Sequence, residues 1–230
     1  MDTIIALFNY PVFEAFGAPV TALELFGFVT GVLTVWALTK QYLWNWYFAA
    51  LNATAFIFLF FGVGLYADAF LQFIFLGISI YGVIKWRNGG SDGTNTLRVR
   101  NNTKREALIL LPLVTIAIFG VSIFLQTQTD STVYWIDSSI LVLSILAVYG
   151  QSQKVIESWY VWIVVDVISI PLYLYKGLTL TAVLYGIFLV LCIIGAYRWN
   201  QDKKAQDAKG ALVAVEAPIE DAPNVDVSGA

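Results

Sequence analysis

The chain has 230 residues, 59% of them apolar, 16% aromatic and 13% charged, with a net charge of −3 and no histidine. That much apolar surface cannot be buried in a soluble domain, so the composition requires an all-α polytopic membrane protein or a membrane barrel. It excludes histidine-based metalloprotease and triad chemistry, and one cysteine, Cys192, inside an apolar stretch implies neither a disulfide nor a zinc site.

The first 19 residues hold IIALFNYPVFEAF, too short to span and interrupted by Pro11 and Glu14. A short interfacial helix is expected there, and with no Lys or Arg ahead of the apolar part it makes a poor signal peptide. Runs of about 20 apolar residues then predict seven transmembrane helices, over 20–39, 44–63, 66–86, 106–126, 133–151, 157–176 and 178–199. These runs are continuously apolar rather than alternating, which excludes a barrel.

Span one contains Thr34 and the pair Gly27/Gly31, a GxxxG pattern of close helix packing. Span two contributes Asn52, and Gln41 follows span one toward its inner side. In span three Asp68, Gln72 and Ser79 share one helical face. From Lys85 to Arg105 six basic residues stand against Asp92, so the segment is expected to be cytoplasmic and topogenic rather than a nucleic-acid surface. The connection 126–132 has no Lys or Arg, as an outer loop should. Lys40, Lys154, Arg198, Lys203 and Lys204 fall on the inner side and Lys176 alone on the outer. The N-terminus is therefore expected outside and the C-terminus inside. The acidic stretch 201–230 reads as a disordered tail.

Sliding the chain by 113 residues places Trp46-Tyr47 on Trp159-Tyr160, Gly64-Leu65 on Gly177-Leu178, Gly82 on Gly195 and Lys85-Trp86 on Arg198-Trp199. Three spans form the repeat, over 20–88 and 133–200, and residues 89–132 supply the basic loop and a linking helix. An odd repeat needs one extra span for both copies to run the same way. A 3+1+3 arrangement of parallel repeats follows, an architecture in which two bundles rock about a site between them. A retinal protein is disfavoured because the seventh span holds no lysine between Gly177 and Arg198.

Polar groups inside a bilayer line a cavity or pair with one another. Trp159, Trp162, Asp166 and Tyr173 form one stripe along the sixth span, and Tyr185 of the seventh is the counterpart of Gln72. Asp166 lies mid-span, where a carboxylate costs roughly 2.5–3.5 kcal/mol. Indole faces attract cations, and Asn52, Gln72 and Asp166 suit an amide or sugar hydroxyls. Competing readings are an interfacial belt for Trp159, ordinary packing for Tyr173 and Tyr185, and pairing of Asp68 with Lys176. No GxxxxGK[ST] loop is present, so the chain contains no ATP-driven motor.

With WYVW at 159–162, GLYADAFLQ at 64–72 and YKGLTLTAVLY at 175–185, the stretch from about residue 20 to 200 resembles the PnuC family of bacterial vitamin transporters. The resemblance implies facilitated diffusion of nicotinamide riboside across the inner membrane, a SWEET-like fold, a homotrimer, and a cytoplasmic kinase that traps the riboside. It carries over Trp159 and Trp162 as the WxxW pair. Neither an enzyme activity, a cofactor nor a metal is expected. The alternatives are thiamine or riboflavin on the same fold, or a membrane receptor.

Overall fold

In the computed structural model of the protein, residues 10–62, 66–89, 97–129, 132–175 and 177–216 are described. Lipid gives the backbone no hydrogen-bond partner, and an apolar segment satisfies its own amides by coiling into a helix. Seven helices form among the described residues: α1 (Ala22–Thr39), α2 (Trp44–Gly62), α3 (Tyr66–Asn88), α4 (Lys104–Gln128), α5 (Tyr134–Ser152), α6 (Glu157–Tyr175) and α7 (Thr179–Glu216). Each coincides with one expected span. Five contain stretches long and apolar enough to cross a bilayer, namely Ala69–Asn88, Lys104–Gln128, Tyr134–Ser152, Glu157–Tyr175 and Thr179–Leu212, and α1 adds the shorter Leu25–Thr39. The chain is a helical membrane protein.

Two expectations at the ends are corrected. Residues 11–21 form a hairpin, not an interfacial helix: β1 (Pro11–Ala15) pairs antiparallel with β2 (Ala18–Thr21). Phe16 and Gly17, with φ of 55° and 78°, make the two-residue turn that a hairpin's twist favours. Beyond Trp199 the chain stays helical to Glu216. Its first part, Gln201 to Lys209, is rich in the helix formers Gln, Lys and Ala and carries the i,i+4 pair Lys203–Asp207 at 2.6 Å. Residues 1–9 and 217–230 lie outside the described residues, as do Lys176 and the side chain of Asp68.

Packing between helices runs α1 on α2, α2 on α3, α3 on α5, α5 on α6, α6 on α7 and α7 on α1. The six close a ring. Helix α4 stands outside it against α5, entered through a capping box in which Thr103 Oγ1 accepts from the Glu106 amide and Glu106 accepts from the Thr103 amide.

The tightest packing lies at the end of the ring that carries the basic segment, called the basic end here. Gly82 on α3 admits the Trp46 ring so closely that a Cβ would fall 2.5 Å from it, and Gly195 on α7 admits Trp159, at 2.6 Å. Trp46 meets Trp86 edge-on at 5.5 Å, and Trp159 meets Trp199 edge-on at 5.3 Å. The Trp86 indole donates to the Gln151 carbonyl at 3.2 Å and the Trp199 indole to the Leu38 carbonyl at 3.3 Å. Every contact in one series has its counterpart 113 residues on. The two turns here, α1 to α2 and α5 to α6, each contain one non-glycine residue at positive φ, Gln41 (56°) and Lys154 (52°). Those two residues, 113 apart, bond to each other, Lys154 Nζ donating to Gln41 Oε1 at 2.9 Å. The basic segment is pinned beside them: Arg100 exchanges backbone hydrogen bonds with Lys154 and Ile156 and holds Glu106 through two contacts of 2.8 Å.

Two predictions follow from this packing. Gly195→Ala forces a methyl against Trp159 and is expected to cost about 1–3 kcal/mol, lowering the melting temperature in detergent. Gly186→Ala, with nothing within 4 Å, is expected to leave it unchanged or higher. Burial brings the Lys154 ammonium down from its ordinary 10.5 to about 8, opposed in part by Asp202. Between those two values the unfolded chain binds more protons than the folded one, so Lys154 makes stability rise with pH across that window. In Lys154→Met the slope of melting temperature against pH should flatten there.

Candidate functional site

Helix α6 places Asp166 at its centre, completely buried. The Cys192 thiol faces it from α7. Yet neither carboxylate oxygen, nor the Ser169 hydroxyl three residues on, has a partner of hydrogen-bonding geometry among the described residues. Leaving a polar group so placed costs about 1–3 kcal/mol, more when it is charged. The centre thus has unused capacity for a donor or a cation.

From there toward the end away from the basic segment, α6 and α7 present an aromatic run. Tyr173 and Tyr185 lie 4.9 Å apart at 42°, and Tyr185 meets Phe188 edge-on at 5.7 Å. Phe188 reaches α1 at Gly31, where a Cβ would stand 3.0 Å from its ring. Gly27 makes similar room for Phe56 of α2 at 3.2 Å. The GxxxG pair is therefore a packing device that lets rings from two helices approach α1.

The stripe read along α6 is divided in space. Trp159 is wholly buried in the tryptophan cluster at the basic end, its indole N–H without a partner there, as is that of Trp46. Trp162 is half-buried and packs on the same cluster. Asp166 sits beyond them, and Tyr173 with Tyr185 beyond it. On the other side of the ring Asn52 of α2 donates through Nδ2 to Thr30 Oγ1 at 2.6 Å, and Thr30 donates to the Phe26 carbonyl at 2.6 Å. Gln72 is half-buried on α3. In the ring order α2 and α6 are opposite, so Asn52 and Asp166 belong to facing sides. Ser169 and Thr30 were not anticipated. Ser169 had a signal in its spacing of three from Asp166, whereas Thr30 had only its polarity.

The two best-formed cavities among the described residues lie apart from these groups, and neither is lined by Asp166, Trp162, Tyr173, Tyr185 or Asn52. One of about 160 Å³ lies among Leu23, Gly27, Phe28, Phe56, Thr181 and Leu184, and one of about 110 Å³ lies at the basic end beside Arg100, Glu106, Tyr149 and Glu157. Both are below the roughly 300–1,000 Å³ of small-molecule pockets. No group of three or more Cys, Asp or Glu side chains among the described residues is placed to hold a metal.

Comparison with known proteins places this geometry. The family model described as nicotinamide mononucleotide transporter matches residues 21–201, and the chain belongs to that family of membrane transporters. Over 218 residues it is 25% identical to the nicotinamide riboside transporter PnuC of Escherichia coli, covering 84% of this chain and 91% of that protein. Over 195 residues it is 26% identical to the riboflavin/roseoflavin transporter RibM of Streptomyces davaonensis, covering 83% and 90%. Its fold matches the crystal structure of the vitamin B3 transporter PnuC with a TM-score of 0.63, at 22% identity over 80% of this chain and 82% of that one. The chain is a transporter rather than an enzyme.

An unpartnered buried carboxylate burdens the ligand-free protein, and removing its charge relieves that burden. Asp166→Asn is accordingly expected to raise the melting temperature without ligand, followed by tryptophan fluorescence on heating. A lower melting temperature would mean that Asp166 is satisfied in the resting protein.

Proposed function

We propose that this family member carries nicotinamide riboside into the cytoplasm by facilitated diffusion, and that the unpartnered Asp166 carboxylate is the anchor for the pyridinium charge. That single observation carries the reading. A buried acid faced only by the Cys192 thiol among the described residues suits a cationic ring, and the neighbouring aromatic side chains supply faces that attract it, each worth about 2 kcal/mol or more when desolvated. Trp162, Tyr173 and Tyr185 are the proposed ring contacts, with Trp159 behind them as their support. Asn52 and Gln72 are proposed for the carboxamide and ribose. With its Nδ2 spent on Thr30, Asn52 has its carbonyl oxygen left to accept from such a ligand.

The same reading takes the helices as two parallel three-helix repeats joined by α4, a 3+1+3 SWEET-like arrangement. It is supported by the contacts matched 113 residues apart and by a ring order that the repeat register maps onto itself. The basic segment supports a cytoplasmic basic end, N-terminus outside and C-terminus inside, in a bacterial inner membrane. A homotrimer and a cytoplasmic riboside kinase belong to this proposal on family grounds alone.

Against the mononucleotide named in the family's description stands the distribution of charge. A phosphate calls for Arg or Lys, and the basic side chains of the described residues gather at the basic end of the ring and in the segments beyond it, Arg198 on Thr39 among them, with none acting on Asp166. Riboflavin is the second reading, favoured by the similarity to RibM. It bears no cationic ring, so Asp166 discriminates between the two.

Purified protein in detergent, titrated with nicotinamide riboside, nicotinamide mononucleotide, riboflavin and thiamine, is expected to bind the riboside most tightly. Trp162→Ala should weaken that binding about tenfold or more, and Asp166→Asn should weaken riboside binding more than any residual riboflavin binding. Equal binding of riboside and mononucleotide would overturn the substrate assignment. Preference for riboflavin would keep the fold and change the vitamin.

A further inference from the structure

At the basic end of the ring, two pairs of side chains meet whose members are each separated by the repeat interval of 113 residues. Lys154 Nζ donates to Gln41 Oε1 at 2.9 Å, and the Trp86 and Trp199 rings lie 6.2 Å apart. Residues exchanged by an approximate two-fold axis can touch each other only on that axis. If solute passes between the two halves, the axis is its route. These four side chains therefore stand across the route at one end.

The layers are joined to each other and to a third segment. The Lys154 ammonium lies 4.5 Å from the Trp86 ring centroid, so the polar pair rests on the aromatic one. Gln41 passes the contact outward, its Nε2 donating to Asp202 Oδ2 at 2.6 Å. Asp202 belongs to the part of α7 that continues beyond the apolar core, and this extension is held further along where Gln206 Oε1 accepts from the Val99 amide. Two copies of the same residue would not make this joint. Lysine facing lysine would repel, and glutamine facing glutamine would carry no charge for Asp202 to attract. The halves differ at this one axial position, and the difference links α7 to both turns.

Within each half the rings are wedged onto glycines, Trp46 on Gly82 and Trp159 on Gly195, with no space for a methyl between them. Such contacts move as rigid units. Across the axis at this level the connections are polar links and ring contacts: the two indole hydrogen bonds of 3.2 and 3.3 Å, Arg198 Nη1 donating to Thr39 Oγ1 at 3.4 Å, Gln153 Nε2 donating to the Tyr81 hydroxyl at 2.9 Å, the Trp86–Trp199 and Tyr81–Tyr149 ring pairs, and the Lys154–Gln41–Asp202 chain. Water can replace polar links of this kind at low cost. The boundary between the halves is where the end of the ring opens.

We propose that Lys154 and Gln41, with Lys154 over Trp86 and Trp86 against Trp199, form the inner gate of the transport path, and that Asp202 makes the extension of α7 its strap. The gate rests on the reading that a vitamin passes between the two repeats. Opening requires Lys154 to leave Gln41 and the two indoles to release the carbonyls of the opposite half, and the turns containing Gln41 and Lys154 are where the displacement begins.

The test uses full-length protein with Gln41→Cys and Lys154→Cys together, bridged by a short bifunctional methanethiosulfonate that dithiothreitol removes. Wild-type protein treated identically controls for the buried Cys192. Bridging is expected to reduce riboside uptake into proteoliposomes to background, with recovery on reduction, while riboside binding in detergent persists. Uptake that continues through the bridge, or two cysteines that no short reagent connects, would overturn the gate. Asp202→Ala tests the strap: uptake at saturating riboside should rise several-fold with binding affinity unchanged, and an unaltered rate removes the strap. Wild-type protein that neither binds nor moves any of the vitamins sinks the transporter reading before a bridge is made, and the gate with it.

Discussion

Tryptophan packed on glycine is the contact from which the remaining architecture can be followed. Between helices in lipid no hydrophobic force acts, because the tails are as apolar as the side chains they would replace, so association relies on close approach. Gly82 and Gly195 each permit an indole to lie on a helix backbone where a single methyl would block it. Trp46 and Trp159, so held, turn their edges to Trp86 and Trp199. Those in turn reach the carbonyls of the opposite half. The turns bearing Gln41 and Lys154, the basic segment beside Arg100 and the extension of α7 all assemble on this layer. Farther along the helices, large apolar side chains such as Phe58, Phe70, Val167 and Ile193 face outward, as a lipid-solvated surface allows.

The middle of the molecule obeys a different economy. Polar groups there are costly wherever they lack partners, and the two sides of the ring treat them differently. Thr30 and Asn52 satisfy one another and a backbone carbonyl. Asp166, which faces the Cys192 thiol, and Ser169 have no partner of hydrogen-bonding geometry among the described residues. In the repeat register Ala53 stands where Asp166 does and Ser79 where Cys192 does, both pairs being deeply buried. The first half has an alanine and a serine at this depth and the second half an acid and a thiol. Local consistency is expected to fail at functional sites, and on the proposed reading Asp166 is such a failure among the described residues.

Much of this was legible in the sequence, for physical reasons that differ from element to element. The seven helices were readable because a bilayer leaves an apolar segment little choice but to coil. The matched Trp-Tyr and glycine positions announced the contact layer, since a glycine and an indole that recur at one interval do so because they meet. Helical periodicity gave the face of α6 correctly but not its neighbours, and so Trp159 and Asp166 read as one stripe although different surroundings enclose them. The hairpin was missed because the hydrophobicity of residues 11–21 outweighed the turn signal at Gly17. The helical extension was missed because its helix formers were averaged with the prolines beyond them. Asp202 carried no signal at all: its meaning depends on where a straight helix carries it, and no local pattern records that.

A duplicated scaffold with unduplicated chemistry has a mechanical consequence. On the reading in which Asp166 holds the cationic ring, charge recognition belongs to α6 of one half, and the opposite side of the ring contributes the neutral pair Asn52 and Thr30. A ligand bound in this way stays with one half when the halves separate. Its release then requires only that the weaker, polar side let go. At the basic end the asymmetry has the same polarity: the charged member of the axial pair, Lys154, comes from the half that bears Asp166, and the neutral Gln41 comes from the other. Parting the halves at either level breaks a bond between a charged and a neutral side, never one between two charges. The motion therefore avoids the largest electrostatic cost available in a medium of low dielectric constant.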